Sequence, residues 1–462
     1  MAISESPATP AAPAVPRRVL LRWREKLGYG VGDFGFNLYW TTIQSFLAAF
    51  YTDVFGLSAA AAGTMLFITR IVDAVTDPMM GAVADRTRTR FGKFRPYLLF
   101  AGLPMAGAAV LTFTTPGLGD GGKLAWAYGT FTLMMLAYTV LSTPYSALSG
   151  VMTGSSQERT TLISVRFLFA FTGASFVNYY TLPLVERLGA GDAERGWQLT
   201  MLVYGLAAAV IFIVTFVSTR ERIAPPPAQR TSPVQDLGDL AGNGPWLVLF
   251  VLALIIMMTI TMRAGSAYYY FTYYLERPEL LNDYLLCQGV AYAAGAVLAP
   301  VMTRYIDKAR LLMLLMGIVG GLSILFWFVP KDMIWAIFAL NILISLALGP
   351  KSPLTWSMYA DTADYNEWKT GRRATAMTFS AATFAQKLGG SLGAAGMLWV
   401  LAAIGYAANQ AQTGASEAGI ALLQTAIPGA FAIVAVFVTR FYRLTGRELE
   451  SIQEALEHGR RS

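Results

Sequence analysis

The sequence contains twelve apolar stretches, each close to the roughly 20 residues that a helix needs to cross a bilayer. They lie near residues 28–50, 59–83, 97–115, 125–150, 162–183, 198–219, 246–272, 285–303, 310–329, 333–356, 374–404 and 418–439. Only 14% of the 462 residues are charged, against about 25% in soluble domains. The chain is therefore predicted to be an all-α membrane protein with twelve transmembrane helices.

The distribution of basic residues predicts the orientation of these helices. Most of the 35 Lys and Arg lie in the N-terminal arm, in the loops after every second stretch and in the tail. Because positive loops remain in the cytoplasm, both termini are expected there. The net charge of +7 then reflects membrane topology, and it does not indicate nucleic-acid binding.

A polar run containing three consecutive prolines divides the twelve stretches into six and six. The predicted units are a cytoplasmic arm (1–26), an N-terminal six-helix bundle (27–220), a cytoplasmic linker (221–244), a C-terminal six-helix bundle (245–440) and a cytoplasmic tail (441–462). Two such bundles around a midplane site are typical of alternating-access carriers.

Several functional classes find no support in the sequence. Its single cysteine, Cys287, and single histidine, His458, exclude an internal disulfide and an intramembrane histidine relay. No nucleotide-binding loop or catalytic cysteine cluster is present. We therefore expect neither an enzyme nor a cofactor, and any proton coupling must use carboxylates.

Three aspartates, Asp33, Asp73 and Asp77, lie inside apolar stretches. A carboxylate at bilayer depth costs several kcal/mol unless a cation, a proton or a basic group accompanies it, so it usually marks an ion or substrate path. Arg70, Asp73 and Asp77 share one helical face because they are three and four residues apart. This pattern predicts a cation site, and the alternative is an ion-pair cluster that only fixes helix packing.

Four longer segments resemble a known family. They are YGVGDFGFNLYW (29–40), FYTDVFGLS (50–58), RIVDAVTDPMMGAVADRTRTRFGKFRPY (70–97) and YADTADYNEWKTGRRA (359–374). Together they are similar to the glycoside-pentoside-hexuronide:cation symporters of the major facilitator superfamily. The resemblance implies a monomeric carrier in the bacterial inner membrane that moves a sugar or glycoside together with sodium or protons.

The resemblance also implies roles for individual residues. The implied cation ligands are Asp73, Asp77, Thr76 and Thr139, which would hold sodium if sodium is the coupling ion. Thr76 replaces the asparagine of the family pattern, so protons stay an alternative. The implied substrate contacts are Asn37, Ser142, Ser146, Arg166 and Thr383, and Lys387 is implied in coupling together with Arg70. Ser142 and Ser146 stand where the family has a sugar-binding aspartate and a stacking tryptophan.

Further candidates come from the residues themselves. Asp33 lies one helical turn from Asn37, and Trp40 could stack on a sugar ring. Arg166 could bind substrate or only neutralise Asp33. Arg263 and Lys351 would favour an anionic substrate, such as a uronide, if both face the cavity, although Lys351 could instead snorkel.

Aromatic and charged residues at the predicted ends of the helices have two interpretations. Tyr268, Tyr269 and Tyr270 are expected to form an interfacial belt. Asp85 and Arg86 are expected to act as gating residues in the loop after the second stretch, the alternative being that basic loop residues only set topology. A rival function for the whole chain is cation-dependent transport of an amphiphile such as a lysolipid.

Overall fold

A computed structural model describes residues 21–153, 156–222, 238, 240–371, 375–444, 448–449, 451–452 and 454–455, except for some side chains within the helices. These residues form α-helices with short connections and one isolated β-bridge, between Thr89 and Gly92. The longer helices are α1 (Trp23–Ala49), α2 (Ala59–Arg86), α3 (Arg95–Phe100), α4 (Gly102–Thr112), α5 (Asp120–Met152), α6 (Ser156–Gly189), α7 (Ala193–Ser218), α8 (Gly244–Tyr269), α9 (Leu281–Met302), α10 (Lys308–Trp327), α11 (Ile334–Leu348), α12 (Lys351–Thr370), α13 (Thr375–Ala403), α14 (Gly414–Gln424) and α15 (Ala426–Thr439).

Eight helical ranges of the described chain are long and apolar enough to cross a membrane. They are Asp120–Met152, Thr161–Gly189, Ala193–Ser218, Gly244–Tyr274, Pro278–Met302, Lys308–Trp327, Ile334–Thr370 and Gly414–Thr439. The long helices α1, α2 and α13 are not among them. These three carry Asp33, Asp73, Asp77 and Lys387, so each of the three less apolar long helices carries a candidate site residue with a charged side chain.

The helices pack as two halves, α1–α7 and α8–α15. In the first half α1 packs on α6 and α7, and α2 and α4 pack on α5; in the second half α8 packs on α13 and α15, and α9 on α11. The halves meet where α2 packs on α13, α6 on α9 and α1 on α8. A change at one of these three junctions can therefore alter how the halves contact each other.

Prolines break three stretches that the sequence predicted as single spans. Proline has no N–H for the carbonyl four residues earlier. Pro104 thus leaves the carbonyl of Phe100 without its helical partner, and α3 ends at that residue. Pro350 separates α11 from α12. Pro428 likewise frees the carbonyl of Gln424, where α14 ends.

The helix around the tenth predicted stretch is longer than its apolar part. The stretch was expected to end near residue 356, but α12 continues to Thr370. Polar residues end the apolar character without interrupting backbone hydrogen bonds. The helix ends only at Gly371, whose φ of 69° is a conformation that glycine adopts without steric cost.

The first helix of each half ends in the same unusual way. A π-helical turn follows α1 at Phe50–Val54 and follows α8 at Tyr270–Tyr274. In each case backbone N–H groups that follow the turn or lie at its end donate to carbonyls within it. The pairs are Phe55 to Phe50 and Leu57 to Tyr51 in the first half, and Leu275 to Tyr270 and Arg277 to Phe271 in the second. A residue with positive φ lies at the same place in each, Gly56 (85°) and Glu276 (56°). The two halves are therefore repeats of one another in this region.

Two tyrosines near the second π-turn do not form the interfacial belt that the sequence analysis expected. Tyr269 is fully buried and Tyr270 is 1% exposed. The ring of Tyr269 contacts that of Tyr406 edge to face, with centroids 5.3 Å apart. A position at the end of an apolar stretch indicated their depth, but it did not show that they point into the protein.

Candidate cation and substrate site

Helices α2, α5 and α13 bring two carboxylates, a hydroxyl and an ammonium group together. Asp73 and Asp77 lie one turn apart on α2, so their side chains leave the same face. Thr139 Oγ1 of α5 lies 2.9 Å from Asp73 Oδ1 and 3.0 Å from Asp77 Oδ1. On the other side Lys387 Nζ of α13 lies 3.2 Å from Asp73 Oδ2 and also pairs with Asp77 Oδ2. The same two groups thus bridge both carboxylates.

Thr139 cannot donate a hydrogen bond to both carboxylates at once. A threonine hydroxyl has a single hydrogen, and ionised carboxylates only accept. Thr139 can therefore donate to Asp73 or Asp77 but not to both. Three oxygens at these distances suit either an added proton or a hard cation, which prefers oxygen ligands. Asp73 is 1% exposed, so burial makes such compensation more important.

Thr76 and Arg70 contact other groups. The Thr76 hydroxyl donates to the backbone carbonyl of Asp73 at 3.1 Å, which is a common local bond for a helical threonine. The Arg70 guanidinium lies over the ring of Trp40, 4.6 Å from its centroid, and Trp40 also packs on Tyr138. The structure therefore places Arg70 and Trp40 against each other beside the two carboxylates.

A second ion pair joins α1 to α6. Asp33, 7% exposed, pairs with Nε of Arg166. The Arg166 guanidinium lies 4.9 Å from the centroid of the Tyr145 ring. Tyr145 stacks on Tyr29, and each tyrosine hydroxyl donates to the other residue's backbone carbonyl. This packing fixes the position of the ion pair.

The remaining substrate candidates differ in their surroundings. The Asn37 amide donates to the Asp33 carbonyl at 2.8 Å and accepts from the Thr41 hydroxyl at 3.1 Å. The Thr383 hydroxyl donates to a carbonyl of its own helix, 3.0 Å away. On α5, Ser142 is partly buried and Ser146 is exposed. Of this group, Asn37 lies directly beside the ion pair of Asp33.

Arg263 lies apart from these residues, inside the second half. It is 1% exposed, and its Nη2 donates to Asn341 Oδ1 at 3.1 Å. Its Nη1 donates to the carbonyl of Gln424 at 3.4 Å, which is the carbonyl that Pro428 leaves free. The structure therefore does not bring Arg263 to the substrate candidates. Lys351 is also buried, with Nζ 3.9 Å from the sulfur of Met257.

The gating candidates lie at the end of α2. Arg86 is its last residue and is exposed, while the Asp85 side chain lies outside the described part of the structure. Near the middle of α12, Asp361 pairs with Lys308 of α10 at 2.7 Å. Both partners belong to the second half, so this ion pair does not join the two halves.

Sequence reasoning missed residues that contact one another at the π-turns. Asp53, Tyr273 and Tyr406 are hydrogen-bonded across the halves, yet Asp53 entered the sequence analysis only as part of a longer motif. One signal was present in the sequence: an acidic residue ends the first apolar stretch of one half, and a tyrosine cluster ends that of the other.

A sequence profile of the family described as MFS/sugar transport protein matches residues 28–446. The chain belongs to this family. Three relatives span nearly the same length. The inner membrane symporter YicJ of Escherichia coli is 35% identical over 96% of both chains. The isoprimeverose transporter of Lactiplantibacillus pentosus is 34% identical over 88% of this chain and 86% of its own. The glucuronide carrier protein homolog of Escherichia coli is 32% identical over 94% and 95%.

Solved structures show the same fold at low sequence identity. A mutant of the nucleoside transporter NupG superposes with a TM-score of 0.68 at 10% identity, covering 92% of this chain and 100% of the other. A bacterial homolog of the lysosomal transporter Spinster, inward-facing and unoccupied, gives a TM-score of 0.66 at 12% identity, covering 91% and 96%.

These comparisons confirm the resemblance to the glycoside-pentoside-hexuronide:cation symporters. The chain is an all-helical transporter of the major facilitator type and a multi-pass protein of the inner membrane. Its candidate residues therefore lie in a carrier, and their roles can be considered in terms of binding and conformational change.

Proposed function

We propose that this protein carries a sugar or glycoside into the cell together with sodium or protons, by alternating access. The observation that carries the proposal is the shared contact of Thr139 and Lys387 with both Asp73 and Asp77. Two carboxylates with one lysine form a site whose charge changes when a monovalent cation enters. The names of the relatives support a sugar as cargo, and they favour it over an amphiphile.

The proposed coupling step is an exchange of positive charge at the two carboxylates. A cation among Thr139 Oγ1, Asp73 Oδ1 and Asp77 Oδ1 would neutralise charge that Lys387 otherwise balances. Lys387 lies on α13 in the second half, whereas both aspartates lie on α2 in the first. Weakening this ion pair therefore changes a contact between the halves, which is where carriers of this kind rearrange. By linkage, substrate and cation raise each other's affinity equally.

For the substrate we propose a position beside Asp33, Asn37 and Arg166, on α1 and α6. An arginine beside a carboxylate can exchange part of its hydrogen bonding for a sugar hydroxyl or a sugar carboxylate. Relatives named for isoprimeverose and for glucuronides make a neutral and an anionic glycoside the two substances to compare. We do not place Arg263 at this position, because it lies inside the second half, where its Nη1 and Nη2 donate to Gln424 and Asn341.

The topology that we propose has twelve spans. Broken helices α3/α4, α11/α12 and α14/α15 would each form one span, and α1, α2 and α13 would cross the membrane despite their charges. Both termini would lie in the cytoplasm, in agreement with the basic loops. We further propose that the carrier works as a monomer, requires no cofactor and moves its substrate without chemical change.

The test is a measurement of external pH in a weakly buffered suspension of de-energised cells that produce the protein. Isoprimeverose and a glucuronide are added separately, with and without sodium. Alkalinisation on addition of one sugar is the result expected for proton symport. Sodium-dependent uptake of the labelled sugar, without a pH change, is the result expected for sodium symport.

A matched control is the Asp120→Asn variant, which removes an exposed carboxylate at the start of α5 and should leave uptake unchanged. The Asp73→Asn variant should lose the cation dependence. Uptake of a lysolipid with neither sugar transported would overturn the proposed substrate class. Uptake of sugar that needs neither sodium nor a proton gradient would overturn the coupling.

A further inference from the structure

The π-turns of the two halves contact each other directly. Asp53 of the first turn and Tyr273 of the second occupy equivalent positions in the repeated pattern, each the fourth residue of its turn. The Tyr273 hydroxyl donates to Asp53 Oδ2 at 2.5 Å. Thr52 of the first turn also contacts Tyr269, the last residue of α8, since Thr52 Oγ1 and Tyr269 Oη are 3.0 Å apart. The contact thus lies where the two repeats face each other.

The connection after α13 adds a second partner to the same carboxylate. The Tyr406 hydroxyl donates to Asp53 Oδ1 at 2.6 Å. Asn409 donates through Nδ2 to the Asp53 backbone carbonyl at 2.7 Å and through its backbone N–H to the Tyr273 hydroxyl at 3.1 Å. Asn409 has a φ of 57°, a conformation that asparagine tolerates better than most residues. One aspartate is therefore held by three residues of the other half.

The loop that carries Asn409 is itself held in shape. Gln412 Nε2 donates to the carbonyls of Ala407 and Gln410, at 2.6 and 2.8 Å, and its Oε1 accepts from the Ala407 N–H at 3.3 Å. Ser416 of α14 donates to the same Oε1 at 2.9 Å. The loop with Asn409 is thus fixed by bonds within the second half, independently of Asp53, which lowers the entropic cost of the contact between the halves.

These contacts lie at the face that the proposed topology puts outside the cell. The cluster lies at the C-terminal ends of α1 and α8. The basic N-terminal arm precedes the opposite end of α1. Two lysines that the proposed topology puts outside the cell lie beside it: Lys123 donates to the Phe55 carbonyl at 3.2 Å, and Lys331 lies 4.2 Å from the ring centroid of Tyr274. By contrast, the carboxylates of the cation site lie further along α2, away from this face.

We infer that Asp53 is the central residue of an outer gate, in which Tyr273, Tyr406 and Asn409 hold the extracellular side closed. This inference rests on the proposed alternating-access function and adds a gate to it. Hydrogen bonds to a carboxylate are about twice as strong as those between neutral groups, so one acidic residue can hold a closed state. An uptake cycle must break them each time the carrier opens outward.

Accessibility of a single thiol tests the gate without any substrate. In a Cys287→Ser background, Gln44→Cys places a thiol on α1 before Asp53, where α1 passes Gly265 of α8. Right-side-out vesicles receive a membrane-impermeant maleimide, and labelling after denaturation gives the total thiol. Asp53→Asn should raise the initial labelling rate about tenfold, since a closed state that is less stable by about 1.4 kcal/mol has an open-to-closed ratio higher by that factor.

A second variant keeps the carboxylate and removes its two tyrosine donors. Tyr273→Phe combined with Tyr406→Phe should raise labelling in the same direction, even if Asp53→Asn fails to reach the membrane. Asp120→Asn, at an exposed acid on the same face, should leave the rate unchanged. Equal labelling in all variants would overturn the gate. Faster labelling in a protein that transports no sugar would retain the gate and reject the proposed symport, so the two failures are distinguishable.

Discussion

Cationic side chains at the candidate site and inside the second half differ in what neutralises them. Arg166 pairs with Asp33 in the first half, and Lys387 reaches across to the carboxylates of Asp73 and Asp77. Arg263, in the second half, contacts the neutral oxygens of Asn341 and Gln424. An ion pair can be exchanged for a ligand that carries charge or hydrogen bonds, whereas a cation enclosed by fixed dipoles has no comparable alternative. The difference suggests transport roles for the former and an architectural role for the latter.

The largest expected effect on transport comes from Asp77→Asn. This change removes one of the two charges that balance Lys387 and that would attract the proposed cation, so concentrative uptake should fall to equilibration. The measurement is the ratio of internal to external labelled sugar in energised vesicles. Asp120→Asn is the control. Full accumulation by the Asp77 variant would contradict the distinction between exchangeable and fixed charges.

Arg263→Leu should mainly reduce stability. It leaves the Asn341 amide oxygen and the Gln424 carbonyl without a donor, at a cost of about 2 to 4 kcal/mol for two buried acceptors. Thermal unfolding of the purified protein in detergent measures the effect, with Arg443→Leu, at an exposed position, as the control. The variant protein that remains folded should keep its sugar affinity; a selective loss of affinity at unchanged stability would show that Arg263 is also a transport residue.

The pair Asp33 and Arg166 separates charge balance from recognition. Arg166→Gln alone leaves a buried carboxylate without its cation, so it should lower both stability and sugar affinity. Adding Asp33→Asn should restore most of the stability while affinity remains reduced by about tenfold or more. Equilibrium binding and thermal unfolding of the single and the double variant test this. Recovery of affinity in the double variant would indicate that the pair only supports the fold.

The smallest effect is expected from a matched pair of threonines. Thr139→Val removes the oxygen shared by Asp73 and Asp77 and should raise the cation concentration for half-maximal uptake by about tenfold. Thr76→Val removes a hydroxyl that bonds to its own helix and should change it by less than about twofold. Cation titrations of initial uptake rates compare them. Equal effects would mean that Thr76 turns toward the cation in another state.

The sequence predicted the helical class and the helices that carry ionisable residues, because apolar length and intramembrane charge are read directly from residue types. It placed Asp73 and Asp77 on one face from their spacing. It could not show that Arg263 points away from the candidate site, since depth along a helix does not determine which neighbours a face contacts. The resemblance implied a coupling role for Lys387, but its position beside both aspartates depends on packing between α2 and α13, which are far apart in sequence.

The breaks within α3/α4, α11/α12 and α14/α15 show another limit. Proline was visible at each place, yet Pro144 and Pro183 lie inside the unbroken helices α5 and α6. Whether a proline ends a helix therefore depends on its surroundings in the folded protein as well as on its own ring. Asp53 was overlooked for a similar reason, because its partners belong to the other half and become neighbours only in the folded protein.

The break at Pro428 has a consequence for how this sequence can change over time. The Gln424 carbonyl accepts from Arg263 because residue 428 cannot supply an N–H. A replacement at 428 that restores the N–H would compete with the guanidinium, and a loss of Arg263 would leave the carbonyl unsatisfied while proline remained. Either substitution alone should be harmful, whereas the second should offset part of the harm of the first. We expect positions 263 and 428 to have evolved as a pair, although 165 residues separate them along the chain.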